Sequence, residues 1–573
     1  MILSGLAEEI VRIAGLTSVA WLIVFLCGAA PAQVTKPAAD CGSCHKDTAK
    51  KMPASIHNDL GCVTCHEKHE KYPHPKNAEK PSCATCHDRV AAEHAASVHG
   101  RELRKGNAGA PNCDSCHGSA HETLKISSPD FRKNVPDTCG MCHNEISTKF
   151  KVSVHGKAVA EGIPQAPICN DCHGEHSIQK PDNPASLVNA THIHETCARC
   201  HANVRLAGRF GLPADRVTSF DTSFHGLAAK AGSQTVANCA SCHGYHDILP
   251  SSDPKSSVNP RHLPATCGKC HPGAGSRFAI GTIHWTEESN APKPVEWTRA
   301  MYISIITGTL GLMLLHNLAD FARKLFILRL RPDPAAVAAA ASLPAREHRM
   351  YAAERIQHAL MVVSFFTLVW TGFALKYPAA WWAQPLLHWE ASFTMRGWLH
   401  RLAGVVMISV SLVHVFALVL SRRLRHHWTE MFPAVSDMRE GTYNFLWLVG
   451  LREKKPVLST HSYIEKVEYW AVIWGTFIMA LTGVALWAHQ WMLERFPKVV
   501  LDVFTTIHFY EALLATFSIF IWHFYFVIFD PEIYPMDPAW LTGYSVRRRR
   551  LHRTTAAEGG AHPEQRKDAS IPE

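Results

Sequence analysis

Residues 139–157 read CGMCHNEISTKFKVSVHGK, and this stretch holds both elements of a pattern that recurs through the first half of the chain. In the first element, CxxCH, two cysteines three positions apart are followed at once by a histidine, here His143. In the second element a further histidine, His155, stands twelve residues after His143 and two residues after a serine. The first element occurs nine times and takes up 18 of the 19 cysteines.

The spacing of CxxCH suits the covalent attachment of haem. Two thiols three residues apart reach the two vinyl groups of one haem, and the next histidine can ligate the iron. Zinc sites and disulfides also use paired cysteines, but neither requires a histidine directly after each pair. The sequence therefore predicts nine covalently attached haem c groups. The predicted attachment sites are Cys41–Cys44–His45, Cys62–Cys65–His66, Cys83–Cys86–His87, Cys113–Cys116–His117, Cys139–Cys142–His143, Cys169–Cys172–His173, Cys197–Cys200–His201, Cys239–Cys242–His243 and Cys267–Cys270–His271.

A second histidine accompanies every motif and is a candidate for the other axial position of an iron. After odd-numbered motifs it lies in an S/T-x-H setting, 12, 12, 12, 24 and 13 residues beyond the motif histidine. After even-numbered motifs it lies three or four residues on, too close to loop back, so we expect it to ligate a neighbouring haem. The predicted distal ligands are His57, His69, His99, His121, His155, His176, His225, His246 and His284. Histidines outside this register, expected to be surface residues or reserves, are His74, His94, His192, His194 and His262.

Ligation by two histidines throughout would leave no iron with an open position, which argues against a terminal reductase. The segment has little apolar periodicity and much Gly and Pro, so the predicted fold is a multihaem cytochrome c domain of short helices and loops. Between Lys36 and Glu296 there are 29 Lys+Arg against 26 Asp+Glu. Most of the net charge of +9 thus comes from Arg-rich loops in the second half, which indicate membrane topology rather than nucleic-acid binding.

The chain of 573 residues is 47% hydrophobic and 19% charged, too long for one domain and too apolar for an ordinary soluble enzyme. After Glu296, five apolar stretches are long enough to cross about 30 Å of hydrocarbon, which predicts an all-α transmembrane bundle of five helices. Cationic loops follow the first, third and fifth stretches, so we expect a cytoplasmic C-terminus and an external haem domain. The predicted helices are Trp297–Leu318, Glu354–Tyr377, Trp398–Leu420, Val467–Trp487 and Val503–Phe529.

The N-terminal residues 1–32 are typical of an export signal, with an apolar run and a final A-x-A cleavage site. Glu8 and Glu9 are unusual in such a signal, and an uncleaved anchor is the alternative. Either form places the haem domain outside the cytoplasmic membrane.

Histidines inside the predicted helices suggest two further haems. His400 and His414 are fourteen residues apart, and His508 and His523 are fifteen apart. Four helical turns put the members of each pair on nearly one face, about 21–22 Å apart along the axis. This geometry suits two b-type haems stacked between helices. A repeat of Thr-Gly in the second and fourth stretches supports it, since glycine lets a flat macrocycle approach a helix closely.

The second half of the chain resembles the dihaem cytochrome b subunits of formate dehydrogenase and nickel hydrogenase. The resemblance is carried over about 180 residues by Arg355-Ile356-Gln357-His358, the Thr-Gly motifs, and the helix histidines. It implies that His400 and His508 ligate the outer haem, and His358 and His523 the inner one. His414 and His316 lie at similar depth and are alternatives. Joined to nine c haems, the chain resembles the CbcL-type menaquinol:cytochrome oxidoreductases.

The resemblance also implies a quinone site next to the inner haem, formed partly by the loop before the fourth stretch. Where the related motif has Asn and Gln before its Lys, this chain has Ile464 and Glu465. Glu465 or His461 is a candidate acceptor for quinol protons. The predicted quinone-site residues are Asn444, His461, Glu465, Lys466 and Tyr469, with Tyr463 in the same loop.

These observations predict an oxidoreductase of the inner membrane that passes electrons from menaquinol through two b haems and nine c haems to periplasmic multihaem cytochromes. The alternatives are reverse flow from a periplasmic donor to quinone, and an anchoring or relay subunit without quinone chemistry of its own. The predicted organisation is a signal peptide at 1–32, a nine-haem domain at 33–290, a linking helix at 297–328, a dihaem cytochrome b domain at 350–530 and a disordered basic tail at 531–573.

Overall fold

The structure is a computed structural model, which describes residues 40–67, 74, 79–213, 215–277, 283–286, 290–330, 346–388, 394–453, 455–456, 458 and 461–546. The predicted signal at 1–32, the predicted ligand His69 and residues 547–573 of the predicted tail lie outside these ranges. By its internal contacts the chain divides into two compact units, Met1–Met141 and Cys142–Glu573, and each is treated by itself below. The predicted domain limits remain predictions.

The first unit consists of short helices joined by turns. Its CxxCH motifs lie at or near the ends of these helices. Cysteines at positions i and i+3 share one face of a helical turn, so a single turn presents both thiols on the same side. The α-helices are Lys46–Lys51, Cys62–Cys65, Asp88–Ala96, Val98–Arg104, Cys113–His117 and Pro129–Gly140, and the 3₁₀ turns are Cys41–Ser43, Met52–Ala54 and Cys83–Thr85.

The second unit begins with helices of the same kind. Few large apolar side chains are buried among them, Ile168 and Ile193 being two that are. This agrees with the predicted fold of short helices and loops. The helices are Asn144–Val152, Val154–Ala160, Cys169–His173, Ile193–His201, Val204–Arg209, Arg216–Thr222, Phe224–Lys230, Cys239–His243 and Leu263–Gly268.

Five long helices follow, and the prediction of five apolar helices is confirmed. All five are long and apolar enough to cross a membrane, which indicates a multi-pass membrane protein. We number them long helices 1 to 5. They are Lys293–Leu330, Ala352–Lys376, Thr394–Leu420, Tyr463–Trp487 and Lys498–Ser518, the last extended by π-helical turns at Ile519–His523 and Tyr525–Phe529.

The long helices pack as neighbours in pairs: 2 against 3, 4 against 5, and 1 against 5. Small side chains such as Ala374, Ala403 and Ala485 are buried where helices meet, which lets the backbones approach closely. Large apolar side chains such as Leu315 and Leu420 face outward, 66% and 80% exposed. An exposed apolar surface of this kind suits contact with lipid.

Shorter elements connect and close the bundle. The short helices are Gln384–His388, Arg422–Thr429, Val435–Leu448, His489–Arg495 and Ala539–Thr542, and the strands Arg346–His348 and Tyr544–Val546 pair antiparallel with His348 opposite Tyr544.

The helix Ala539–Thr542 and the strand Tyr544–Val546 fall within residues 531–573, which we predicted to be disordered. Residues 531–546 are ordered instead, because the second strand pairs with a segment that precedes long helix 2. Gly543 makes the turn between helix and strand at φ 85°, a conformation that favours glycine, and its carbonyl accepts from the backbone N–H of Arg349 at 2.9 Å. Sequence composition did not reveal this long-range pairing.

Candidate metal centres

The structure brings motif histidines together with second histidines in facing pairs. Within the described residues, seven such pairs have ring centres between 5.7 and 6.2 Å apart. Three pairs lie in the first unit and four in the second. They are His45–His74, His57–His87, His66–His121, His155–His201, His173–His246, His225–His271 and His243–His284.

This separation fits two imidazoles that ligate one iron. Two metal–nitrogen bonds of about 2.0 Å, extended on each side by the radius of the ring, put the two ring centres about 6 Å apart. Incidental packing of aromatic rings spans about 4.5–7 Å and shows no single preferred value. The recurrence of one separation at seven places, always with a CxxCH histidine as one member, fits haem c. In the part of the chain that the structure describes, no three His, Cys, Asp or Glu side chains group as a site for a metal ion alone.

Six of the nine predicted distal ligands belong to these pairs, each facing the histidine of a motif other than the one it follows. His57, after the first motif, faces the third; His155 and His225 likewise face the motif two places ahead. His121 and His246 follow even motifs and face the motif two places back. The sites are therefore interleaved along the chain.

Contacts between cysteines agree with this interleaving. The first cysteines of consecutive motifs hydrogen-bond to each other at Cys41–Cys62, Cys83–Cys113 and Cys197–Cys239. Consecutive CxxCH motifs thus lie side by side at these places in each unit.

His74 is a partner that the sequence register missed. It stands eight residues after His66, outside both spacing classes, yet its ring lies parallel to that of His45 within 4°. Among the other predicted ligands, His99 is the second residue of helix Val98–Arg104 and corresponds in position to His155, and His176 follows helix Cys169–His173 as His246 follows its own motif.

The reserves other than His74 contact ordinary protein groups. His192 Nδ1 lies 2.9 Å from the carbonyl oxygen of Ser186, and His262 Nε2 lies 2.9 Å from that of Pro254. His194 Nε2 lies 2.7 Å from Asp221, and His94 lies within helix Asp88–Ala96. We expected reserve ligands or surface residues, whereas the contacts of His192, His194 and His262 are those of structural histidines.

Three distal histidines are positioned by one local structure, Ser-x-His-Gly. In residues 153–156, the Ser153 hydroxyl donates to the carbonyl of Phe150 at 2.6 Å and accepts from the N–H of Gly156 at 3.1 Å. It therefore ends one helix and caps the next, with His155 in the first turn. A Cβ at Gly156 would overlap the Phe150 carbonyl, so only glycine fits. Residues 97–100 and 223–226 repeat this arrangement; the glycine was a signal that the S/T-x-H pattern left out.

Burial favours the neutral form of the paired imidazoles in the second unit. It lowers the pKa of His155 and His225 to about 4. It also lowers the pKa of the other six paired histidines of this unit. Neutral imidazole is the form that ligates a metal.

The long helices contain two more facing pairs. The ring centres of His400 and His508 are 6.4 Å apart, and those of His358 and His523 are also 6.4 Å apart. These are the four residues that the resemblance assigned to two b haems, in the same pairing. Their separation fits two-histidine ligation as the CxxCH pairs do.

The Thr-Gly repeat orients one of these pairs. Thr371 Oγ1 donates to the carbonyl of Thr367 at 2.6 Å, and His400 Nδ1 lies 2.8 Å from the same hydroxyl. Because the hydroxyl donates its proton to the backbone carbonyl, it accepts a hydrogen bond from the Nδ1–H of His400. The other ring nitrogen, Nε2, is then free of this contact and can ligate a metal. Thr482 and His508 repeat this geometry, also at 2.8 Å.

The glycines of the repeat lie against the histidine rings. A Cβ at Gly372 would lie 3.3 Å from His400 Cε1, and one at Gly483 would lie 3.3 Å from His508 Cε1. The predicted approach of a macrocycle to these glycines stays a prediction. The glycine lets the threonine and the histidine of adjacent helices meet.

The second pair has a charged neighbour instead. Glu468, in long helix 4, contacts His523 Nδ1 with a carboxylate oxygen. A carboxylate on the outer nitrogen of a metal-ligating histidine orients the ring and increases its basicity. Sequence analysis did not single out this residue.

The two alternative ligands make other contacts. His414 Nε2 lies 3.2 Å from the hydroxyl of Tyr469, and His316 Nε2 lies 2.9 Å from the hydroxyl of Tyr463. In both residues the nitrogen that would ligate iron is thus hydrogen-bonded to a tyrosine. The four histidines of the facing pairs remain the better candidates.

The predicted quinone-site residues make separate contacts around the start of long helix 4. Asn444 Nδ2 donates to Tyr463 at 2.8 Å, whereas Tyr469 lies with His414 and stacks on Trp428. The other three make structural contacts: Lys466 pairs with Asp437 at 2.8 Å, Glu465 caps Ser462, and His461 lies 3.0 Å from Glu430.

Comparison of the chain with family models, curated proteins and solved structures finds no match.

One histidine pair adjoins the membrane bundle. His271, of the last CxxCH motif, lies 6.0 Å from the ring of His489, which begins the short helix between long helices 4 and 5. Close by, Arg277 donates to the carbonyl of Arg495 at 3.4 Å. The pair His225–His271 thus lies against the end of the bundle from which long helix 5 starts.

Proposed function

We propose that this protein is a membrane-bound quinol:cytochrome c oxidoreductase similar to the CbcL type, with nine haem c and two haem b groups. The observation that carries the proposal is the separation of 5.7 to 6.4 Å shared by nine histidine pairs. Seven of these pairs contain a CxxCH histidine, and two join long helices. The haems would supply one-electron transfer at iron, while the protein supplies ligation, spacing and tuning of potential.

The order of the pairs suggests an electron path. His358 lies near the start of long helix 2 and His523 near the end of long helix 5; we name them the inner pair. His400 and His508, near the opposite ends, are the outer pair. The contact of His271 with His489 lies at the outer end, so the ninth CxxCH site would be the port between the b and c haems.

The inner end offers groups suited to a quinol. Asn444 is 2% exposed, and no donor among the described residues reaches its Oδ1. Its Nδ2 binds Tyr463, which in turn binds His316. Trp522, next to His523 in sequence, has its ring centre 5.0 Å from that of His316. A quinol hydroxyl bound at Asn444 would thus lie at the start of a series of contacts, through Tyr463, His316 and Trp522, that leads toward the inner pair.

The proposed placement follows from charge and from the chemistry of haem c. The cationic loops favour a bacterial inner-membrane protein with a cytoplasmic C-terminus, and c-type haem is attached on the periplasmic side. The acceptors would be periplasmic multihaem cytochromes, and the donor would be menaquinol. The reverse direction would use the same sites, with the periplasmic cytochrome as donor.

The test is anaerobic mixing of menaquinol with the purified, oxidised protein, with the b and c absorption bands followed separately. We expect the b band to be reduced first and the c bands afterwards, and both to be blocked by a quinone-site inhibitor. If a periplasmic cytochrome reduces the c haems and quinol has no effect, quinol oxidation by this chain is wrong.

A further inference from the structure

Long helices 1 and 5 end beside a buried group of charges, which we name the lysine–carboxylate cluster: Asp320, Lys324, Asp530, Glu532 and Lys455. Lys324 Nζ lies 2.6 Å from Asp320 and 2.7 Å from Asp530. Lys455 Nζ lies 2.7 Å from Glu532. Asp320, Lys324 and Asp530 are only 3%, 6% and 4% exposed.

The cluster contains more acids than bases. Three carboxyl groups face two ammonium groups, so full ionisation would leave one negative charge uncompensated in a buried site. Such a charge is costly, and a carboxyl group in this setting tends to hold a proton instead. Burial raises the pKa of Asp530 in agreement with this. The phenol of Tyr525 also faces the cluster and donates to Asp320 at 2.7 Å.

A line of hydrogen-bonding groups leads toward the cluster from the proposed quinol site. Asn444 Nδ2 donates to Tyr463 Oη at 2.8 Å, so the phenol proton of Tyr463 is directed to His316 Nε2, 2.9 Å away. Asp320 stands four residues after His316 in long helix 1, one turn further along the same face. Asn444 Oδ1 provides a buried acceptor at the start of this line.

The cluster reaches water at its other side. Glu532 and Lys455 have side chains that are 14% and 15% exposed, against 6% for Lys324. A proton that enters at Asp320 would therefore have Lys324, Asp530 and Glu532 between it and the solvent. An ion-pair network with a purely structural role would also hold these helices together. The test therefore has to distinguish proton transfer from stabilisation of the helix packing.

We propose that His316 and the lysine–carboxylate cluster take up the protons of the quinol and release them at the end of the bundle that carries Lys324. This proposal rests on the proposed function. Oxidation breaks the two O–H bonds of the quinol and gives one quinone, two electrons and two protons. The two electrons would pass one at a time to ferric haems held by the inner pair and the outer pair. Each proton passes through the Tyr463 hydroxyl, which gives its own proton to His316 Nε2 and regains one from the quinol. From His316 the proton goes on to the cluster before the next one arrives.

The test compares Asp320→Asn with a matched control, Asp502→Asn. Asp502 forms an ion pair with Lys498 in the same i,i+4 spacing, at 2.7 Å but more exposed, near the other end of long helix 5. The quantity measured is the rate at which menaquinol reduces the b haems of the full-length protein between pH 5 and pH 9. We expect Asp320→Asn to slow this rate by on the order of 100-fold, as for loss of a general base, while dithionite still reduces all haems. Asp502→Asn should reduce its b haems at the same rate as the unaltered protein.

A second readout follows the protons themselves. The infrared difference spectrum between reduced and oxidised protein should contain a protonated-carboxyl band, which Asp320→Asn or Glu532→Gln removes and Asp502→Asn retains. Glu532→Gln, at the more exposed side, takes the place of Asp320→Asn if that variant does not assemble its haems. Because the readout is a carboxyl vibration, a variant that merely loosens the helices would not remove it.

The outcomes separate the two proposals. If menaquinol does not reduce the unaltered protein, the proposed function is wrong and the proton path is overturned with it. If the unaltered protein is reduced, but the cluster variants match it in rate at every pH and retain the carboxyl band, the proton path alone is overturned.

Discussion

Glu468 places a carboxylate oxygen against Nδ1 of His523, whereas the outer pair has threonine hydroxyls at the corresponding nitrogens, 2.8 Å from His400 and His508. A carboxylate makes the imidazole a stronger donor and stabilises ferric iron more than a hydroxyl does. The inner b haem should therefore have the lower reduction potential, and electrons should run downhill from the inner pair to the outer pair.

Replacing Glu468 by Gln should raise the potential of one b haem and leave the other unchanged. The reason is that an amide donates less charge to the Nδ1–H of His523 than a carboxylate does. Redox titration of the b band measures both potentials. Thr482→Val is the control at the outer pair, with a smaller expected shift in the other b haem; equal potentials in Glu468→Gln and unaltered protein would contradict the assignment.

Loss of a paired histidine in the long helices should remove one b haem. We expect His523→Ala and His400→Ala each to halve the non-covalent haem content, because a single remaining imidazole holds haem weakly. Haem extraction into organic solvent, which leaves c haem bound, measures this content. His414→Ala, whose imidazole contacts Tyr469, is the control and should retain both haems. A full b-haem content in His523→Ala would show that the inner pair is misassigned.

His74→Ala should produce one high-spin c haem, since it opens the position opposite His45. The absorbance of the high-spin band, measured in the oxidised protein, should correspond to about one haem in nine. His262→Ala, at a histidine bonded to a backbone carbonyl, should show none. If His69→Ala rather than His74→Ala yields the high-spin haem, His69, the ligand predicted from the repeat spacing, is the ligand and the assignment of His74 is wrong.

Gly156→Ala should destabilise the haem domain and displace His155 from its site. The added methyl group would overlap the Phe150 carbonyl, and such overpacking typically costs about 1–3 kcal/mol. Thermal unfolding and the low-spin haem spectrum measure the two effects. Gly208→Ala is the control, since open space surrounds Gly208 within its helix, and it should leave stability unchanged or slightly higher. Equal effects at both glycines would refute the role of the Ser-x-His-Gly turn.

The parts of the site that were predictable from sequence depend on local spacing. CxxCH is complete within five residues, and the five long helices are evident from length and hydropathy alone. The second ligand of each iron is not local. Six partners of the motif histidines could be predicted because they recur at fixed positions in a repeat, whereas His74 occurs once and carries no such signal.

The features that sequence analysis missed are contacts between distant segments. His414, His316 and His358 were candidates for the same position; His358 faces His523 at 6.4 Å, whereas the other two are hydrogen-bonded to tyrosines. Glu468 and the lysine–carboxylate cluster join helices far apart in sequence, so no spacing pattern reveals them. Individual quinone-site residues were predicted by resemblance, and three of them proved to make capping or ion-pair contacts.

The most direct test of the account is menaquinol-driven reduction of the His400→Ala variant, in which the outer pair is broken and the inner pair is intact. We predict that menaquinol reduces the remaining b haem while the c haems stay oxidised, although dithionite reduces all of them. Reduction of the c haems by menaquinol at the rate of the unaltered protein would contradict the account, because electrons would then reach them without passing through the outer pair.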